Sequence, residues 1–318
     1  MNTQPSLTRR VLADYTDYSL LLIFVVMFVV LSLTVPYFFS QQNLIGLGLS
    51  VSQIGMVACT MMFCLASRDF DLSIGSTVAF SGVVCAMVLN KTDSIAIALA
   101  ASLACGMIVG WINGAVIAYL RINALITTLA TMQIVRGMAF IASDGQAVGI
   151  TNESFFSLGT SMFLGIPTPI WITVLCFVVF GVMLNKTVYG RNTLAVGGNP
   201  DASRLAGVSV TKTRVYIFLI QGGVAALAGV ILASRITSGQ PNAAQGFELS
   251  VISACVLGGV SLIGGRATIT GVVVGVLIMG TVENVMSLLN VDSFYQYVVR
   301  GTILLLAVLM DQLKSRGE

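Results

Sequence analysis

The 318-residue chain contains no histidine, and only 9% of its residues are charged. The first absence removes Ser–His nucleophilic relays, paired-histidine zinc sites and histidine proton relays together. The chain also lacks G-x-x-x-x-G-K-[ST], the loop that cradles nucleotide phosphates in the common ATPases. If ATP drives this protein, a separate subunit binds it. The low charge excludes an ordinary soluble domain, which carries about 25% charged residues. Cysteine is present at six positions (Cys59, Cys64, Cys85, Cys105, Cys176 and Cys255), all inside apolar segments and without metal-ligand spacing. They read as small hydrophobes rather than as ligands or redox groups, so no metal and no cofactor is expected in this chain.

What is present is apolar: 56% of the residues are hydrophobic. A bilayer core of ~30 Å needs ~20 apolar residues per helix. Ten stretches qualify as candidate spans: 19–39, 44–67, 71–90, 94–120, 124–143, 170–185, 213–234, 247–262, 271–290 and 295–312. The eighth is short and rich in glycine (Gly258, Gly259, Gly264, Gly265), which suggests a partial or broken span. Such a break is tolerated only where protein or a water-filled cavity surrounds it. The expectation is one all-α polytopic membrane domain over residues 1–318, in which 186–214 is the one long polar excursion on the cytoplasmic side.

Basic residues orient the spans. With the N-terminus inside, twelve of the sixteen Lys and Arg fall on the cytoplasmic side: Arg9, Arg10, Arg68, Arg121, Lys186, Arg191, Arg204, Lys212, Arg214, Arg266, Lys314 and Arg316. Lys91 and Arg235 fall outside; Arg136 and Arg300 lie within spans. The positive-inside rule therefore favours both termini in the cytoplasm. The net charge of +3 is an orientation signal and not a nucleic-acid footprint. The span after Arg9 and Arg10 is too long for a signal-peptide core, which suits an uncleaved first helix.

The two halves share motifs. Phe70-Asp71-Leu72-Ser73-Ile74 resembles Phe247-Glu248-Leu249-Ser250-Val251. Ile134-Val135-Arg136-Gly137 resembles Val298-Val299-Arg300-Gly301. A G-x-x-x-G occurs at Gly106/Gly110 and again at Gly271/Gly275. Five spans separate each pair, so matched helices run in opposite directions, as in the inverted repeats of transporters. The repeat would relate helices 2–5 to helices 7–10. An in-plane two-fold should mirror the depths of Arg136 and Arg300, yet the assigned bounds put both in the outer half.

Arg136, Glu283 and Arg300 are the ionisable residues well inside spans, each ~8–11 Å from the nearer outer end. A charge at that depth is costly unless it is paired or faces a cavity. Glu283 with Arg300 is the natural ion pair, and Arg136 has Glu248 or Asp144 within reach. Two readings fit: a hydrophilic path or a clamp between helices. Asn113, Asn123, Gln133, Thr127, Thr128, Thr131 and Asn284 could line a path for a neutral solute or simply bond neighbouring helices. Asp71 and Glu248 open helices, where a carboxylate is favoured by capping and by the helix dipole.

In the polar excursion, 199–207 spells a short helix. Asn199 is a good N-cap, Pro200 suits the first helical position and Asp201 complements the positive end. Gly207 can take the left-handed conformation that ends it. Ala202, Leu205 and Ala206 form a small apolar face beside Arg204. Two turns are unstable alone and need something to pack on. On these residues the segment is either a helix that seats in a cytoplasmic partner or an ordinary capped connector.

Gly190–Val210 (GRNTLAVGGNPDASRLAGVSV) resembles the cytoplasmic coupling segment of permeases from bacterial ABC importers of monosaccharides. FDLSIGS at 70–76 is similar to that group's D-L-S-x-G-S signature. Residues 122–150, 231–241, 248–265 and 280–301 are similar to its arabinose members, and the likeness covers nearly the whole chain. The resemblance implies a type II ABC importer-like permease of about ten helices, working in a bacterial inner membrane as a dimer with a second copy or a paralogue. It implies an ABC ATPase subunit, which carries ATP and magnesium, and a periplasmic sugar-binding protein that docks outside. Residues 199–207 would be the coupling helix, and 144–169 and 236–246 the docking surfaces. Lys91 and Arg235 would meet acidic groups of the binding protein or anchor at the interface. The function implied is import of a monosaccharide, L-arabinose foremost, with xylose, ribose and galactose as alternatives. On the residues alone an ion-coupled secondary transporter stands as the rival, although it would want more titratable groups at midplane than this chain offers.

Overall fold

The computed structural model describes residues 7–316, with side chains from 19 to 312. The described chain is predominantly helical. The first half contains α1 (Leu7–Thr34), α2 (Gln41–Ala66), α3 (Ile74–Thr92), α4 (Ile95–Tyr119) and α5 (Ala124–Ala142). The middle holds α6 (Ser157–Thr160), α7 (Thr168–Lys186), α8 (Val188–Gly198) and α9 (Pro200–Leu205). The last part is α10 (Val210–Arg235), α11 (Phe247–Leu257), α12 (Ile269–Leu288) and α13 (Ser293–Arg316). Helix starts follow side-chain caps: Ser40 Oγ accepts from Asn43 N at 3.2 Å, and Asn123 Oδ1 from Leu125 N at 2.9 Å. Each cap supplies an acceptor for an otherwise orphaned first-turn amide.

Among the described residues, eight helices are long and apolar enough to cross a membrane: α2, α3, α4, α5, α7, α10, α12 and α13. The other two expected spans are shorter apolar stretches, Ser19–Thr34 within α1 and the 11 residues of α11. At 1.5 Å per residue, α11 rises only ~16 Å, about half a bilayer core. The eighth span is therefore broken as the glycines suggested. After Leu257 the chain leaves helical geometry, with Gly259, Gly264 and Gly265 at φ of +81°, +83° and +78°. The side chains of Arg9, Arg10, Lys314 and Arg316, which carry part of the orientation argument, lie outside the described residues.

Helix α2 is the axis of the bundle; from Ile54 to Ala66 it is buried throughout. It packs against α7, α10, α11 and α12. Two seams hold the rest. Between α4 and α10, a Cβ on Gly106 would overlap the Gly222 carbonyl oxygen, and one on Gly110 the Phe218 carbonyl. Between α11 and α12, a Cβ on Gly275 would overlap the Ala254 carbonyl. The two G-x-x-x-G pairs thus do the same job in the two halves: they let backbones touch where lipid gives apolar side chains no drive to associate.

The connections differ at the two ends of the bundle. At one end, β1 (Val148–Gly149) pairs antiparallel with β4 (Ser238–Gly239), which joins the 144–169 loop to the 236–246 segment. Beside it, β2 (Met162–Phe163) and β3 (Ile166–Pro167) form a tight hairpin turned by Leu164 and Gly165. The opposite end carries α8 and α9.

Candidate functional site

The polar centre forms around two segments held inside the bundle, 67–73 and 240–246. Asp71 Oδ1 accepts from the Ser73 amide at 2.9 Å and from the Ser73 hydroxyl at 2.6 Å. The helix after it begins at Ile74, so Ser73 occupies the N-cap and Asp71 fixes the turn before it instead of capping α3 directly. Asn113 Nδ2 donates to Ser73 Oγ at 2.9 Å, and its Oδ1 accepts from Thr131 Oγ1 at 2.6 Å. Fully buried, Asn113 binds α4 to α5 and to the start of α3.

The second segment is gripped by Arg136, whose Nη1 donates to the carbonyls of Pro241 and Ala243, both at 2.7 Å. Arg136 lies ~18 Å along α5, so the segment it holds sits well inside the bundle. Here the structure departs from the pairing expected for Arg136. The guanidinium satisfies backbone carbonyls, and among the described residues no ion pair joins it to Glu248 or Asp144; Glu248 acts on it through its charge alone. Backbone acceptors win because the 240–246 segment has no helix or ladder to use its own carbonyls, and a buried carbonyl without a partner is costly. Glu248 sits in the first turn of α11, with Oε2 2.5 Å from where a Cβ on Gly75 would stand. One carboxylate therefore lies between the N-terminal ends of α3 and α11, where both helix dipoles favour negative charge.

Glu283 and Arg300 form the expected ion pair, Nε to Oε1 3.1 Å, each side chain 19% exposed. Ser250 Oγ also donates to Glu283 Oε1 at 2.6 Å. Because the charges of Arg300 and Arg136 both act on Glu248, the two matched arginines serve the same element rather than mirror-related ones. Asn284 and Asn43 exchange two amide bonds, 3.0 and 3.1 Å, between α12 and α2. Gln133 is different: it is exposed on α5, among exposed Leu129, Ile134 and Met138.

Sequence reasoning did not single out Ser50 or Gln53, and Phe247 entered it only as part of the repeated motif. With Ile54, Arg235 and Glu283 they line a cavity of about 210 Å³. Arg235, expected at the surface, turns inward so that Nη1 lies 3.3 Å from Gln53 Oε1. The only early signal was three polar residues, Ser50, Ser52 and Gln53, within four positions of a largely apolar run.

At the α8–α9 end, α9 is as its residues foretell. Asn199 Oδ1 accepts from the amides of Asp201 and Ala202, both at 3.0 Å, and Gly207 has φ +82°. Asp201 and Arg204 pair at 3.0 Å on the surface. Ser203 faces the protein, whereas Ala202 and Ala206 are exposed and Leu205 is 91% exposed. The preceding helix α8 was not foreseen; Gly190, Gly197 and Gly198 inside it read as a loop. Those glycines allow close approach: a Cβ on Gly197 would overlap the Ala66 carbonyl. Gly265 N donates to Ala66 O at 2.8 Å, and Arg68 Nη2 to Gly198 O at 2.8 Å. The end of α2, the end of α8 and the 258–266 connection are thus tied in one knot, with α9 hanging from it. Nearby, Arg214 Nε lies 3.0 Å from Asp69 Oδ2. Burial pushes the Asp69 carboxyl up to about 6, against the opposing pull of Arg214 and of the Ser67 hydroxyl.

Comparison with known proteins gives this architecture its kin. The chain is 58% identical to the L-arabinose transport system permease protein AraH of Escherichia coli K12, over 96% of this chain and 93% of that one. It is 56% identical to the L-arabinose ABC transporter permease protein AraH of Azospirillum brasilense, over 92% and 86%. The ribose import permease protein RbsC of Bacillus subtilis is 42% identical over 91% of each chain. No solved structure matches. The family described as branched-chain amino acid transport system / permease component matches residues 43–308, and this multi-pass membrane protein belongs to that family of permease components.

Proposed function

We propose that the chain is the permease subunit of an ATP-driven importer that carries a monosaccharide, L-arabinose, across a bacterial inner membrane. The observation that carries this reading is the 58% identity to an L-arabinose permease across 96% of the chain. The ribose permeases, at 42% identity or less, stand further off. The sequence carries no G-x-x-x-x-G-K-[ST] loop, so we assign hydrolysis to an ABC ATPase partner that holds ATP and magnesium. A periplasmic sugar-binding protein selects the cargo.

The basic residues support a sidedness in which α8 and α9 face the cytoplasm and the β-paired connections face outward. Exposed Leu205 with Ala202 and Ala206 then forms the apolar face that seats in the ATPase, and Asn199, Pro200, Asp201, Arg204 and Gly207 shape and present it. Movement of α9 reaches the bundle through the knot at Ala66, Gly197 and Gly265. Outside, 144–169 and 236–246 receive the binding protein as one surface, because β1 and β4 join them. A second copy or a paralogue covers the face of α5 that presents Gln133, a polar group that lipid would leave unsatisfied. Asn113, Arg136, Glu248, Glu283, Asn284 and Arg300 act as the clamps that shape the pathway wall.

The test is reconstitution. The permease, purified with its ATPase in proteoliposomes and given sugar-loaded binding protein, should take up L-arabinose only with ATP. Uptake of D-ribose, D-xylose or leucine in preference to L-arabinose would replace the substrate. Uptake driven by an ion gradient without ATP would overturn the importer class.

A further inference from the structure

The cavity bounded by α2, the end of α10, the start of α11 and α12 holds a recognisable set of groups. Its volume is about 210 Å³, several times the ~30 Å³ that one water occupies in the liquid. Four polar side chains and one aromatic ring line it: Ser50, Gln53, Arg235, Glu283 and Phe247. We propose that this cavity is a binding site in the permease itself for a neutral cyclic polyol, and that the cargo sugar rests there during transfer. The proposal rests on the sugar-importer reading above and assigns that reading a place.

The argument is one of donors, acceptors and charge. Arg235 carries five N–H donors in a fixed fork. Among the described residues it uses one of them, on Gln53 Oε1 at a long 3.3 Å. The Gln53 amide nitrogen has no partner among those residues, and Ser50 adds a hydroxyl that can both give and accept. Glu283 uses Oε1 for Ser250 and for Arg300, which leaves Oε2 as an acceptor. Several unspent donors and acceptors around an otherwise apolar wall are what a ring of hydroxyl groups requires. Phe247 offers a flat apolar surface to the C–H face that every pyranose has.

Charge excludes the alternatives. A simple cation would meet Arg235 and find the Glu283 charge already matched by Arg300, whereas a simple anion could answer Arg235 alone and would leave Ser50, Gln53 and the Phe247 ring unused. A zwitterionic amino acid could answer Arg235 with its carboxylate. Its ammonium would find the Glu283 charge already taken by Arg300, 3.1 Å away. A neutral polyol needs neither charge to be free.

Two measurements test the site in the reconstituted permease–ATPase complex with its sugar-binding protein. In Gln53→Leu, L-arabinose uptake should fall by at least about ten-fold while ATP hydrolysis stimulated by the binding protein stays within about two-fold of the parent, a loss confined to cargo handling. Independently, Ser50→Cys should react with a methanethiosulfonate reagent, and L-arabinose should slow that reaction at least about three-fold by occupancy of the site. Leucine and acetate should not. Parent-like uptake by Gln53→Leu overturns the proposal, as does labelling of Ser50→Cys that L-arabinose leaves unchanged. Protection by leucine in place of sugar overturns the polyol class. A parent complex that imports no monosaccharide fells the importer reading itself, whereas a parent that imports normally beside unaltered cavity variants fells only this site.

Discussion

Replacing Glu283 by glutamine keeps the side-chain shape and removes its charge from a pair that is 19% exposed on each side. At the observed 3.1 Å, two unit charges attract by about 5 kcal/mol in a medium of effective dielectric 20. Desolvation offsets much of that, but loss of one partner leaves the other charge buried and uncompensated, which costs about 3–5 kcal/mol. Partial exposure puts this pair near the lower figure. Removing both charges should cost only about 1 kcal/mol, well below the ~6 kcal/mol of the two single losses together, so the coupling is about 5 kcal/mol. The two single variants should also differ from each other. After Glu283→Gln, Arg300 still acts on Glu248. After Arg300→Gln, Glu283 keeps only the Ser250 hydroxyl at 2.6 Å. The expected order of stability is parent, Glu283→Gln/Arg300→Gln, Glu283→Gln, then Arg300→Gln. Thermal unfolding of the detergent-purified protein reads this directly, at about 2–4 °C per kcal/mol for a chain of a few hundred residues. A double variant as unstable as the sum of its two parents would refute the reasoning, because it would show that the charges do not feel each other.

Leu205→Asp should abolish ATP-driven uptake in proteoliposomes while the purified chain keeps its melting temperature, since Leu205 is 91% exposed; normal uptake would remove α9 from the coupling role. Asp69 titrates near 6 in the fold against 3.8 as the ordinary value, so its folded-state pKa is raised. Stability is therefore lost as pH rises from about 4 through 6, and between pH 5 and 7.5 the parent should lose about 1 kcal/mol that Asp69→Asn does not; equal pH slopes for the two proteins would contradict this. Gly110→Leu should prevent folding or lower the melting temperature sharply, because its Cβ would overlap the Phe218 carbonyl; a well-expressed, parent-like variant would mean that the α4–α10 seam opens freely.

The parts of the fold legible in the sequence are those coded locally. Asn199, Pro200 and Gly207 carry cap and stop chemistry within nine residues, and α9 forms there. Four glycines between 258 and 265 announce the break after α11. Helix α8 was missed because Gly190, Gly197 and Gly198 look like loop residues until the Ala66 backbone that presses on Gly197 is known. The pairing of Glu283 with Arg300 followed from a short connection between neighbouring spans. Arg136 did not yield to the same logic, since its partners are backbone carbonyls of Pro241 and Ala243, more than a hundred residues away. Composition cannot reveal a carbonyl in need of a donor. Gln53 and Arg235 are likewise separated by 182 positions, and only the fold brings them to one cavity.

Backbones in contact cannot slide. Along α4 and α10 the glycines leave no layer of side chains to shear, so those two helices travel as one body through any change of shape. The 240–246 segment is held differently, by the two hydrogen bonds of Arg136 and by packing of Ala244 on the core, with no helix or ladder of its own. A cycle built this way exchanges hydrogen bonds instead of repacking an oily interior.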